Sequence, residues 1–155
     1  MDARLERKSI LLVEDDPDHE ALTLRALRRN NVTNGVVVAR DGVEALDYLF
    51  GEGSFRGRDA ANLPQVVVLD LKLPRVDGLE VLRKVRSDNR TRLVPVVILT
   101  SSDEEQDMIR GYSLGANSYV RKPVDFLEFV EAARQLGLYW LALNEIAPRQ
   151  AGTAS

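Results

Sequence analysis

The sequence predicts an α/β fold in which five buried parallel strands alternate with five helices covering both faces of the sheet. Two observations predict it. Short apolar runs and helical patterns alternate regularly along the 155 residues. The runs are continuously apolar, as strands buried on both faces are, and do not alternate apolar with polar as half-exposed strands do. The length suits one domain with a real core.

Ser9-Ile10-Leu11-Leu12-Val13 is the first strand and ends in Glu14-Asp15-Asp16-Pro17, after which Ala21, Leu24, Ala26 and Leu27 recur at helical spacing. Val36 to Ala39 is the second strand, Asp41-Gly42 the turn, and Val43, Ala45, Leu46, Leu49 and Phe50 the apolar side of the second helix. Gly51 to Leu63 is a loop. Its Gly51-Glu52-Gly53 and Gly57 follow a helix, the wrong context for a phosphate cradle, so it reads as a flexible connection. Val66 to Leu69 is the third strand; Asp77-Gly78 opens a third helix with Leu79, Val81, Leu82 and Val85 inward. Val94 to Leu99 is the fourth strand, and Asp103 to Tyr112 a helix that Asp103 caps. Ser118 to Val120 is the last strand, and Asp125 to about Ile146 a long final helix. Residues 1–146 form the domain and 147–155, which include PRQAGTAS from Pro148, a disordered tail.

Composition removes several classes of function. With 21 basic and 24 acidic residues, the net charge of −3 gives no general attraction to nucleic acid or anionic membrane. The opening MDARLERK is too charged for a secretory signal, and the longest apolar stretch, Leu136 to Leu143, falls well short of the roughly 18 residues of a membrane span. The chain reads as cytoplasmic. Without cysteine there are no disulfides, thiolate chemistry or cysteine metal sites.

In an open parallel sheet, ligands bind beyond the carboxyl ends of the strands. Those ends carry Glu14-Asp15-Asp16, Asp70, Thr100-Ser101-Ser102 and Arg121-Lys122-Pro123. Carboxylates crowded on one rim repel unless a cation lies between them, and oxygen donors without His or Cys select a hard divalent ion such as Mg²⁺. Plainer roles fit other residues. Asp16 caps the first helix, with Pro17 in its first turn. His19, the single histidine, reads as a solvated residue on the exposed side of that helix. Arg25, Arg28 and Arg29 complement the helix dipole.

Taken together, the acidic pair Glu14-Asp15, the aspartate of D-L-K-L-P-R-V-D-G at Asp70, the hydroxyl of Thr100 and Lys122-Pro123 resemble the signature of the receiver domains of two-component response regulators. The resemblance runs from Ser9 to about Leu138. It implies a flavodoxin-like, doubly wound (βα)5 sheet of order 2-1-3-4-5 with an extended C-terminal helix. It implies that Asp70 is the phosphoacceptor, and that Asp15 and Asp70 bind Mg²⁺ directly with the backbone carbonyl of Lys72, Glu14 acting through water. Thr100 and Lys122 would contact the phosphoryl group, and the rotamer of Tyr119 would follow Thr100. The residue types suit that chemistry, because an ionised aspartate can attack phosphorus once the phosphoryl charge is neutralised. Lys72, two positions beyond Asp70, is expected to reach over the phosphoryl group and alter the lifetime of the acyl phosphate.

After Lys122-Pro123 one helix and a tail remain, so the chain reads as a stand-alone receiver. L-G-L-Y-W-L-A-L, residues 136–143, is apolar around its whole circumference, more than a helix lying on one sheet needs. Tyr139, Trp140 and Leu143 would then form a protein-protein contact. This segment, with S-Y-V-R-K-P-V-D-F-L-E-F-V-E-A before it, resembles the single-domain regulators paired with bacterial phytochrome histidine kinases. That implies a light-sensing kinase as donor and a homodimer through the fourth and fifth helices. Two other readings are weaker. A haloacid-dehalogenase-type phosphohydrolase needs a second acid where Lys72 stands, and an interaction module independent of phosphorylation would lack part of the set that is present here.

Overall fold

The computed structural model describes residues 9–29, 35–101, 105–122, 127–128, 130–131 and 134. Five strands, β1 (Ser9–Val13), β2 (Gly35–Ala39), β3 (Val66–Leu69), β4 (Val96–Thr100) and β5 (Ser118–Arg121), form one parallel sheet of order β2-β1-β3-β4-β5. Between them lie α1 (Pro17–Arg29), α2 (Gly42–Phe50), α3 (Gly78–Ser87) and α4 (Glu105–Ser113). The expected fold and strand order are thus borne out. Positions 127, 128, 130, 131 and 134 are helical, where the final helix is expected.

Successive side chains of a strand point to opposite faces, and here both faces are covered. Leu11, Val13, Val67, Leu69, Val96 and Ile98 pack with Ala45 and Leu49 of α2 and Val81, Leu82 and Val85 of α3. Ile10, Leu12, Val66, Val68, Val97 and Leu99 pack on the other face with Ala26 and Leu27 of α1 and with Val130. This accounts for strands apolar at every position.

Three details differ from expectation. The fourth strand begins at Val96 and not at Val94, because Pro95 has no N–H for the ladder; only its carbonyl serves, accepting from Val67 N at 2.9 Å. It ends one residue later, which puts Thr100 in the strand. In α1, Ala21 is exposed while Leu22 turns partly inward and Thr23 is buried. The α2–β3 loop is tied down, not a loose connection. Arg58 stacks 3.9 Å over the Tyr48 ring and donates to the carbonyls of Tyr48 and Asn62, and Phe55 meets Tyr48 edge-on.

Two Asp-Gly junctions let helix starts come close to backbone outside the helix. Asp41 and Asp77 each cap a helix by accepting from the backbone of Glu44 at 2.8 Å and Glu80 at 3.0 Å. The glycines that follow leave room for backbone. A Cβ on Gly42 would lie 1.9 Å from Val76 O, and one on Gly78 would lie 2.2 Å from Asp70 O. The second junction therefore presses the start of α3 against the end of β3, beside Asp70. No helix among the described residues is long and apolar enough to cross a membrane.

Candidate functional site

The carboxyl ends of β1, β3, β4 and β5 deliver Glu14, Asp15, Asp70, Thr100 and Lys122 to one place. Four of these polar side chains are nearly buried: Glu14 is 2% exposed, Asp70 5%, Thr100 0% and Lys122 9%. Such burial is costly unless every group finds a partner. Lys122 Nζ donates to Glu14 Oε1 at 2.5 Å and to Asp70 Oδ2 at 2.9 Å. The other oxygen of Asp70 accepts from Thr100 Oγ1 at 2.8 Å and from the backbone N–H of Lys72 at 3.1 Å. The Lys122 N–H donates to Thr100 O at 2.8 Å, which joins the ends of β4 and β5.

Glu14, Asp15 and Asp70 can each offer an oxygen with all three within 4.8 Å of one another. Asp15 is exposed while the other two are buried, so the cluster opens to solvent on one side. Three carboxylate oxygens, with no cysteine in the chain, suit a hard divalent cation that keeps water or phosphate oxygens among its ligands. Burial pushes the Glu14 carboxyl up to about 7 against the pull of Lys122, and Asp70 adds to the rise. Burial works on Asp70 in the same sense, but there the Lys122 ammonium, the Thr100 hydroxyl and the Lys72 N–H outweigh it and hold the carboxyl below its ordinary value.

Other expected residues fall in separate places. Asp16 is the helix cap expected of it, accepting from the N–H of Asp18 at 2.8 Å and of His19 at 3.3 Å. Tyr119, on β5 opposite Ile98, lies outside the pocket with its ring centroid 6.4 Å from that of Tyr112 on α4. Lys72 contributes its backbone to the pocket, while its ammonium lies 3.6 Å from Asp107 Oδ2 on α4 and not over Asp70. Ser102, Asp103, Pro123, Tyr139, Trp140 and Leu143 lie outside the described residues, and with them the expected α4 cap and the apolar contact surface.

His19, 39% exposed at its side chain, matches its sequence reading only in part. Its ring does not simply face solvent: Nδ1 lies 2.9 Å from Lys122 Nζ. The available signal was position, since the first turn of a helix that follows a rim strand stays at that rim. Periodicity alone assigned it to the exposed side.

The response regulator receiver domain family matches residues 10–134. Among curated proteins, the probable methanogenesis regulatory protein FilR2 of Methanothrix harundinacea (strain 6Ac) is 43% identical over 136 residues, 87% of this chain and 84% of its own. The phosphorylated cyanobacterial phytochrome response regulator RcpA superposes with a TM-score of 0.81 at 35% identity, over 88% of this chain and 95% of its own. The bacteriophytochrome response regulator RtBRR gives 0.73 at 56% identity, over 86% and 80%.

Proposed function

The chain belongs to the response regulator receiver domain family, and from that membership we propose that it is a phosphoacceptor switch, taking a phosphoryl group from a histidine kinase onto Asp70. One observation carries the assignment to this residue: the two oxygens of Asp70 are held by different donors, Lys122 Nζ on one and Thr100 Oγ1 on the other. A carboxylate kept ionised this way needs no general base. One of its oxygens attacks phosphorus as the bond from phosphorus to the donor atom breaks, and the leaving group takes up a proton from solvent. Lys122 and Thr100, freed from the carboxylate, turn to the phosphoryl oxygens. Glu14, Asp15 and Asp70, with the Lys72 carbonyl, would hold Mg²⁺, which neutralises part of the incoming phosphoryl charge.

The reaction is a switch and not a turnover cycle. As Thr100 moves toward the phosphoryl group, space opens beside β4, and Tyr119 on the neighbouring strand follows it. Gly111 lets α4 pack closely on this strand pair, since a Cβ there would lie 2.7 Å from Ile98 Cδ1 and 3.5 Å from the Tyr119 ring. The likeness to phytochrome response regulators supports a phytochrome-type kinase as the donor, acting in the cytoplasm on a receiver of residues 1–146. A homodimer through α4 and the last helix, with Tyr139, Trp140 and Leu143 in the contact, completes the reading. Met108, Ile109 and Tyr112 of α4, between 41% and 56% exposed, give that contact an apolar start.

Incubation with labelled acetyl phosphate should give Mg²⁺-dependent incorporation of one phosphoryl group per chain, absent in Asp70→Asn. Incorporation that survives Asp70→Asn would move the acceptor elsewhere. Continuous turnover of many phosphoesters would favour a hydrolase.

A further inference from the structure

We propose that His19 is a positioning residue for phosphoryl transfer, its neutral imidazole accepting at Nδ1 to hold the Lys122 ammonium over Asp70. The inference rests on the phosphoacceptor reading above. Lys122 Nζ has three neighbours: Glu14 Oε1 at 2.5 Å, Asp70 Oδ2 at 2.9 Å and His19 Nδ1 at 2.9 Å. An ammonium has three N–H bonds and no lone pair, so the imidazole nitrogen can only accept, and the ring must carry its proton on Nε2. The Lys122 side chain is 5% exposed, and so buried a cation needs all three donors met. Asp16 Oδ2 also faces Nδ1, but at 3.8 Å it is too far for a hydrogen bond and leaves the lone pair to Lys122.

The three acceptors are not equivalent. Glu14 and Asp70 belong to the acidic trio and to the reaction itself, and Asp70 gives up an oxygen to phosphorus. His19 belongs to neither. It comes from the first turn of α1, which Asp16 fixes by capping the His19 N–H. As the carboxylates are drawn into other bonds, His19 remains a fixed, uncharged acceptor that keeps the flexible lysine stem from swinging into solvent. A hydrogen bond to a charged group of this kind makes about a tenfold difference in rate.

The test compares His19→Leu, which removes the acceptor, with His19→Asn, whose Oδ1 can stand where Nδ1 stood, in the full chain with acetyl phosphate and saturating Mg²⁺. The maximal rate of Asp70 phosphorylation should fall about tenfold in the leucine variant and stay within about threefold of wild type in the asparagine variant. The acetyl phosphate concentration at half-maximal rate should change little, because the donor itself is not bound by His19. A leucine variant as fast as wild type, or an asparagine variant as slow as leucine, would overturn the proposal. A second measurement needs no phosphorylation. The chain has a single histidine, so ¹⁵N resonances of the metal-free protein report this ring alone. A proton on Nε2 is expected, and a proton on Nδ1 would overturn the contact even if His19→Leu failed to fold. If wild type takes up no phosphoryl group, the phosphoacceptor reading falls as well; the variant and tautomer outcomes bear on His19 alone.

Discussion

Asp70 and Glu14 share one ammonium, yet their carboxyls shift in opposite directions, Glu14 up to about 7 and Asp70 down. The difference lies in the second partner. Asp70 also accepts from the Thr100 hydroxyl and the Lys72 N–H, whereas the other oxygen of Glu14 meets the Asp16 N–H at a long 3.3 Å. The residue better supplied with donors is the proposed phosphoacceptor, which would have to stay ionised to act as nucleophile. These residues were legible in the sequence because each ends a strand, and strand ends of a parallel sheet share one rim. The directions taken by His19 and Lys72 were not legible, because a cap at Asp16 and a partner at Asp107 on another element decide them. The same limit applies to Thr23, 3% exposed on α1, whose Oγ1 has no hydrogen-bond partner among the described residues. A buried hydroxyl without a partner costs stability, and valine fills nearly the same volume. Thr23→Val should therefore stabilise the fold by about 1 kcal/mol, seen as a melting temperature about 2–4 °C higher. A lower melting temperature would mean that the hydroxyl is satisfied in solution.

At the level of elements, the Asp-Gly pair at Asp77-Gly78 links packing to chemistry. Asp77 fixes where α3 starts, and Gly78 lets that start lie against the carbonyl of Asp70 and the Cα of Leu71. The sequence announced both Asp-Gly pairs as element starts. It did not announce the reason for glycine, which is the close approach of backbone, Val76 at Gly42 and Asp70 with Leu71 at Gly78, and not a positive φ at either residue. In Gly78→Ala the new methyl would meet backbone at 2.2 Å, where no side chain can yield. A loss of about 2 kcal/mol is expected in urea unfolding, accompanied by slower phosphorylation because β3 must shift where it carries Asp70. An unchanged unfolding midpoint would show that α3 can slide without cost, and the glycine would lose its assigned role. Strand limits were legible to within two residues, and the miss at Val94 has a local cause in Pro95, whose ring removes a ladder donor.

On the scale of the whole molecule, the pocket at the rim and the exposed side chains of α4 lie on elements joined by β4 and β5. A change at Thr100 can therefore reach the exposed side chains of α4 without unfolding anything. Whether that surface is used for self-association turns on area. A stable interface buries on the order of 1,000 Å² or more, which is beyond Met108, Ile109 and Tyr112 alone. The missing area would come from L-G-L-Y-W-L-A-L, which, read as a helix from the sequence, would be apolar on more sides than one sheet face covers. The two contributions should then be separable. Light scattering on the full chain should give twice 17.3 kDa. A version ending at Gln135 should run as a monomer while still taking phosphate from acetyl phosphate, because Asp70, Thr100 and Lys122 all precede the cut. A full chain that scatters as a monomer at micromolar concentration would assign the apolar segment to its own domain. A shortened chain that remains dimeric would place the contact on α4 and the sheet edge instead.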